Sequence, residues 1–293
     1  MISYATLAQL ESELGASGGS ATEKEALLNY GRDASNRLDS YGRTRYEFAP
    51  RLVTLYHNVA DNVRARPLFG NPSLRLRKPF LSITSVYLRE ELLTVWDGDY
   101  STQADADYMI SPLDNSPITD LVRLNGNTWL ASGATSSQQV NAIKVTGFTG
   151  YRYLYSEAWK TGSTLTGNII SSATSIAVTS GTPFSAGMLL RIDSEFIELT
   201  GVSTNTLTVV RGVRGTTSAS HSSGANVAYY IPEPVITRAV TRYASYMLKR
   251  QGNFSTYTVD ALGGASTMPS DMPTEVKNIL DELPLIPFPF YAV

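Results

Sequence analysis

The chain holds two histidines, His57 and His221, and no cysteine, so these imidazoles bound any acid–base or nucleophilic chemistry. His221 lies in Thr216-Thr-Ser-Ala-Ser-His-Ser-Ser-Gly224, a loop crowded with hydroxyls. A nucleophilic triad needs a hydroxyl, a base that takes its proton and a carboxylate that orients the base. The spacing here selects neither a nucleophile nor the sharp turn that would expose one. His221 therefore reads as a residue that pins its loop by hydrogen bonding. His57 stands at a helical step among apolar residues and reads as a packed or surface histidine. Asp97, Asp99, Asp105 and Asp107 invite a calcium loop, yet from Asp97 the sixth position is Thr102, not Gly, and the twelfth is Tyr108, not Glu. They read as turn formers. Gly15 to Gly19 lacks the Lys-Ser/Thr of a phosphate cradle, and no Gly-x-Gly-x-x-Gly follows a strand. Without cysteine there are no disulfides, thiol nucleophiles or thiolate metal sites. The inventory predicts no catalytic residue, no metal site and no cofactor.

Composition agrees with a binding or structural role. Among 293 residues, 42% are hydrophobic and the net charge is −2, so nothing draws the whole chain to nucleic acid or an anionic membrane. The charge is uneven: from Arg32 to Arg89 there are eleven Lys/Arg against four Asp/Glu, with Arg75, Arg77 and Lys78 clustered. No run of about 18 apolar residues and no signal-peptide pattern occurs, so a soluble protein made in a cytoplasm is expected. Of seventeen tyrosines, Tyr151, Tyr153 and Tyr155 alternate like one strand face, which suits an interface and carbohydrate stacking equally.

The elements that must position these residues fall into two kinds. Tyr4, Leu7, Leu10 and Leu14 fit a short amphipathic helix. Thr22-Glu-Lys-Glu25 has the capping-box pattern, and Ala26, Leu27, Tyr30, Ala34, Leu38 and Tyr41 behind it recur at helical steps, closing near Gly42. Leu52, Leu55, Tyr56 and Val59 fit another helix face, while Pro67, Gly70, Pro72 and Pro79 break any regular element after it. Residues 80–95 read as a strand. Leu121-Val-Arg-Leu124, Asn125-Gly126 and Asn127-Thr-Trp-Leu130 read as a hairpin, because Asn-Gly tolerates the positive φ of a tight turn. Asn141 to Thr146 adds a strand. Pro232-Glu-Pro234 opens a helix ending at Lys249-Arg250, and Pro273 starts a short one. Between them, residues 162–230 hold four short strands (175–179, 187–192, 195–200 and 206–210) separated by Gly, Ser, Thr and Asn, a small barrel or sandwich.

Two sets of residues carry a resemblance. Ser40-Tyr-Gly-Arg43, Val145-Thr-Gly-Phe-Thr-Gly-Tyr151, Ile231-Pro-Glu-Pro-Val-Ile-Thr-Arg-Ala-Val240 and Leu248-Lys-Arg250 stand in an order that resembles the head–tail connector, or adaptor, proteins of tailed bacteriophages. In that family a strand ending in Gly-Tyr is soon followed by a proline-started helix. Here about eighty residues separate the two. Phe184 to Glu198, Leu207-Thr-Val-Val-Arg-Gly-Val-Arg-Gly-Thr216 and His221-Ser-Ser-Gly224 look like a small β module met in phage tail, neck and fibre proteins, with Gly212 and Gly215 as backbone turns.

The resemblance implies an α+β protein with a mainly helical connector core and a β-hairpin, interrupted by a small all-β insertion. Residues 1–160 would be the first part of the core, 161–230 the inserted module, 231–260 the closing helix, and 261–293 a linker, short helix and docking tail. It implies a non-enzymatic virion protein at the capsid–tail junction: a ring, often of twelve subunits, under the portal protein. The ring would extend the channel for packaged DNA, without sequence-specific contacts, and support the next neck or tail protein; no membrane is involved. Leu285, Ile286, Phe288, Phe290 and Tyr291 are the expected partner anchors. Arg75, Arg77 and Lys78 are the expected basic surface toward the portal or DNA. The alternative is a receptor- or carbohydrate-binding fibre or baseplate protein that uses the module, with Tyr229 and Tyr230 stacking on sugar.

Overall fold

Strand, not helix, is the main element. The computed structural model describes residues 2–15, 19–41, 47–59, 71–96, 98–99, 101–112, 117–129, 140–151, 156–252 and 272–282. Among them are thirteen strands in three antiparallel sheets and four α-helices. The expected mainly helical core is thereby overturned. Compact packing divides the chain into two units, residues 1–45 with 159–285, and residues 46–158 with 286–293.

The first unit joins helices α1 (Leu7–Leu14), α2 (Ala21–Asp39), α3 (Pro234–Gly252) and α4 (Thr274–Asp281) to the β module. The cap of α2 is Ser20 with Glu23, two residues before the expected Thr22–Glu25 pair. Ser20 Oγ accepts the Glu23 N–H and the Glu23 carboxylate accepts the Ser20 N–H, so both sequence patterns qualify and the earlier one is used. The module's strands are β8 (Trp159–Thr164), β9 (Ser175–Ala177), β10 (Leu189–Ile192), β11 (Glu195–Ser203), β12 (Thr206–Val210) and β13 (Asn226–Tyr230), in sheet order β8-β13-β10-β11-β12-β9. The chain beyond β8 meets the chain beyond β9 through the Leu165–Val178 bridge and a 2.9 Å Thr164–Thr179 hydroxyl contact, which curls the sheet into a barrel.

β11 is buried on both faces from its first residue. Ile197 and Leu199 enter the barrel core with Leu190, Ile192, Leu207 and Val227, while Phe196 stacks on Trp159 at 5.2 Å. Glu198 pairs with Arg32 of α2 at 2.8 Å. Gly187 lets the module approach the helices: its φ is +94°, and a Cβ there would stand 2.7 Å from Leu28 of α2. These contacts make the helices and the module share one unit.

The second unit is a two-sheet sandwich. One sheet runs β1 (Arg51–His57), β7 (Ile143–Thr149), β3 (Ser82–Leu88), β4 (Glu91–Leu92); the other runs β2 (Ser73–Phe80), β6 (Ile118–Arg123), β5 (Tyr108–Ser111). Leu74, Leu76, Phe80, Val86, Leu88, Leu121, Ile143 and Val145 from both sheets form its core.

Three expectations fail within this unit, each for a local reason. The supposed helix face at Leu52–Val59 includes β1, which pairs with β7 from Arg51↔Thr149 to His57↔Ile143. Its β-branched and aromatic residues suit a half-buried pleat. The proline-interrupted stretch contains β2, where Leu74 and Leu76 point inward, and Pro79 falls where the β2–β6 register breaks between Arg75 and Phe80. The hairpin has its turn, with Asn125 at φ 56° and Gly126 at φ 71°, but no returning strand among the described residues: β6 pairs with β2 and β5 instead. Asn125 Nδ2 is held by the carbonyls of Gln103, Ala104 and Ala106 at 2.9–3.0 Å. Trp129 is buried, its indole N–H bonded to the Pro72 carbonyl at 3.2 Å. Burying that ring takes precedence over continuing the strand.

Candidate functional site

The module's recurrent residues converge on one carboxylate. Glu195 opens β11 at 1% exposure and accepts from five donors. Arg211 forks onto it, Nε to Oε1 at 2.7 Å and Nη2 to Oε2 at 2.6 Å. The N–H groups of Gly212 and Ala219 reach it at 2.9 and 3.0 Å, and His221 Nε2 at 2.9 Å. The other nitrogen of His221 lies 2.6 Å from Asp193 Oδ2. Arg211 also donates to the carbonyls of Ile170, at 3.1 Å, and of Ala219. Thr216 closes the turn: its hydroxyl accepts the Phe196 N–H and donates to the Val213 carbonyl, both at 2.9 Å.

Burial raises the pKa of Glu195, but the Arg211 fork, the Ala219 N–H, His221 and the Gly212 N–H together outweigh it and bring it down to about 2. Such a carboxylate is too weak a base to take protons near neutral pH. Both nitrogens of His221 meet carboxylates, so neither is left to take a hydroxyl proton. The arrangement is a lock for loop 211–221, as the sequence predicted for His221. Its partner Glu195 escaped that reading, although an acidic β-strand residue, an Arg-Gly-x-x-Gly-Thr turn and a His within one module were the signal. Gly212 holds φ +60°, and an added Cβ would lie 2.8 Å from the Ser218 nitrogen. Gly212→Ala should therefore lower stability by about 1–3 kcal/mol, measured by chemical denaturation.

The other sequence candidates are scattered. His57 is fully buried on β1, and its Nε2 accepts the Arg77 N–H at 3.1 Å. Burial, reinforced by the Arg77 charge, lowers its pKa to about 4. Asp99 Oδ1 accepts the Ser101 N–H and Asp107 Oδ2 the Thr94 N–H, both at 2.8 Å, as turn formers do; Asp97 lies outside the described residues. Among the described residues no group of three or more His, Asp or Glu is placed to hold a metal ion. No described helix is long and apolar enough to cross a membrane. Arg75 is half-buried on β2 while Arg77 and Lys78 are exposed. Tyr151 is buried edge-on to Phe48 at 5.5 Å. Tyr153, Tyr155 and the anchors Leu285, Ile286, Phe288, Phe290 and Tyr291 lie outside the described residues.

Two surface features had no sequence signal. A groove of about 560 Å³ in the first unit runs along Tyr229, Tyr230, Ile231 and Pro232, with Gln9 and Arg238 among its walls. In the second unit the outer face of the four-stranded sheet carries a row in register, Tyr56–Lys144–Tyr87–Leu92, one residue from each strand. Tyr56 is 48% and Leu92 57% exposed, and Lys144 Nζ sits 4.0 Å above the Tyr87 ring. No family model, curated protein or solved structure matches the chain.

Proposed function

We propose that the protein is a non-enzymatic structural subunit of a phage virion, which joins identical copies into a ring beneath the portal and connects capsid to tail. The observation that carries this reading is the Tyr56–Lys144–Tyr87–Leu92 row, a flat amphipathic face across four strands. Aromatic and apolar side chains backed by a rigid sheet are the composition of a contact surface. A ring closes when one face of each copy meets a different face of the next. The buried Glu195–Arg211–His221 node supports the same reading, because the polar residues best suited to chemistry are engaged in holding a loop. On this proposal packaged DNA passes through the ring, and the segment containing Leu285, Ile286, Phe288, Phe290 and Tyr291 meets the portal or the next neck protein.

The test is light scattering after size exclusion, on the chain alone and with purified portal protein. Oligomers, or monomers that assemble on the portal, are expected, and Tyr56→Asp with Leu92→Asp should reduce assembly at least tenfold while circular dichroism is unchanged. Lasting monomers without portal binding would overturn the proposal. Charge reversal at Arg75, Arg77 and Lys78 should weaken portal attachment or DNA retention; wild-type behaviour in both removes that surface from the proposal. The carbohydrate reading has less support, since Tyr230 is buried against Trp159 and Tyr229 rests on Phe184.

A further inference from the structure

The groove of the first unit has an apolar body and, among its described lining residues, one uncompensated charge. We infer that it binds a small amphipathic monocarboxylate: an apolar chain lies along Tyr229, Ile231 and Pro232, and its ionised carboxyl group meets Arg238. This inference concerns the first unit alone and does not rest on the ring reading.

The apolar body comes from three parts of the chain. Met188 and Leu189 belong to the entry into β10, Tyr229 to the end of β13, and Ile231, Pro232 and Pro234 to the entry into α3. This wall is in place before a ligand arrives. Tyr229 rests edge-on against Phe184 at 6.1 Å, and each proline fixes its own φ. A wall already ordered loses little freedom on binding. At about 560 Å³ the groove is within the size range of small-ligand sites.

The polar groups of the groove divide into engaged and free ones. The hydroxyls of Ser3, Tyr4 and Thr237 donate to the Ala5 carbonyl, the Asp39 carboxylate and the Tyr4 carbonyl. Glu13, the one acid among the described lining residues, pairs with Arg242 at 3.2 Å. Arg238 is different. It is exposed on α3, and among the described residues its guanidinium makes neither a hydrogen bond nor an ion pair. The Tyr229 hydroxyl has no partner among the described residues either. Gln9 accepts the Thr6 N–H on its Oε1 at 2.8 Å, which turns its amide N–H groups away from the cap. The open charge is therefore positive, and a guanidinium, an amide and a phenol are all able to donate. A carboxylate suits them, because its two oxygens accept several bonds and pair with a guanidinium through two parallel ones. One cation calls for one negative charge. A dianion such as a phosphate monoester leaves its second charge unneutralised in a groove that also holds Glu13.

The test is isothermal titration calorimetry of the full chain with octanoate, and with octanol as its uncharged counterpart. Octanoate should bind saturably at one site per chain, at least tenfold more tightly than octanol. Arg238→Gln removes a side chain that makes no bond within the described fold, and should weaken octanoate at least tenfold while leaving octanol unchanged. Ile231→Asp, at an exposed position, should weaken both ligands at least tenfold. Circular dichroism checks that both variants keep the parent fold. Equal affinity for octanoate and octanol, octanoate binding unchanged by either substitution, or no saturable binding by about 1 mM octanoate would overturn the inference.

Discussion

Replacing Arg211 by Ala is expected to lower the stability of the module by about 3–5 kcal/mol, because it leaves the buried Glu195 carboxylate without its arginine counter-charge, held only by the Gly212 and Ala219 N–H groups and His221. The size reflects the surroundings rather than ion pairing as such. An exposed pair contributes up to about 1 kcal/mol, whereas Glu195 is 1% exposed and is bonded by Arg211 at two positions. For a unit of this size the loss corresponds to a fall in melting temperature of about 6–20 °C.

The same variant should change the acid limb of the stability curve. The pKa of Glu195 is lowered to about 2 from 4.5, so its contribution is present above pH 4.5 and is lost as pH falls toward 2. Without Arg211 the folded pKa rises, and the acid-dependent interval shrinks. Hydrogen exchange of the amides in β10 to β12, measured across pH and denaturant, reads both effects. A variant within 1 kcal/mol of the parent, with an unchanged acid limb, would show that the node does not hold the loop.

The second large effect is the pH dependence set by His57. Its pKa falls to about 4 from 6.5, chiefly by burial and then by the Arg77 charge. The unfolded chain therefore binds the proton first as pH drops. Stability due to the neutral ring is complete above pH 6.5 and is lost as pH falls toward 4, by about 3 kcal/mol over the interval. The second unit should consequently loosen at pH 5, well before Glu195 begins to titrate. His57→Gln places an amide oxygen near the position of Nε2 to accept the Arg77 N–H, and should remove the slope between pH 6.5 and 4. Hydrogen exchange over β1 and β7 at pH 7 and pH 5 provides the measurement; equal loosening in parent and variant would assign the slope to another group.

The sequence by itself determined local features. Four strands of the module, three of the four helices to within a few residues and the positive-φ turn at Asn125-Gly126 are written in patterns a few residues long. The loop-pinning role of His221 was legible too, because no nucleophile stood at a usable spacing. Tertiary structure decided the rest. Leu52, Leu55, Tyr56 and Val59 satisfy a helical period, and only pairing with β7 makes Arg51–His57 a strand. Pro79 reads as a breaker until a register shift accommodates it. Glu195, Arg211 and His221 are separated by up to 26 residues and meet only because β11, the turn after β12 and the chain before β13 close on one point. The groove and the tyrosine row join residues from distant strands and helices, whose alignment no local pattern encodes. Short-range backbone preference is written along the chain, whereas partner choice depends on which surfaces bury each other, and here that choice changed a mainly helical expectation into a mostly β protein.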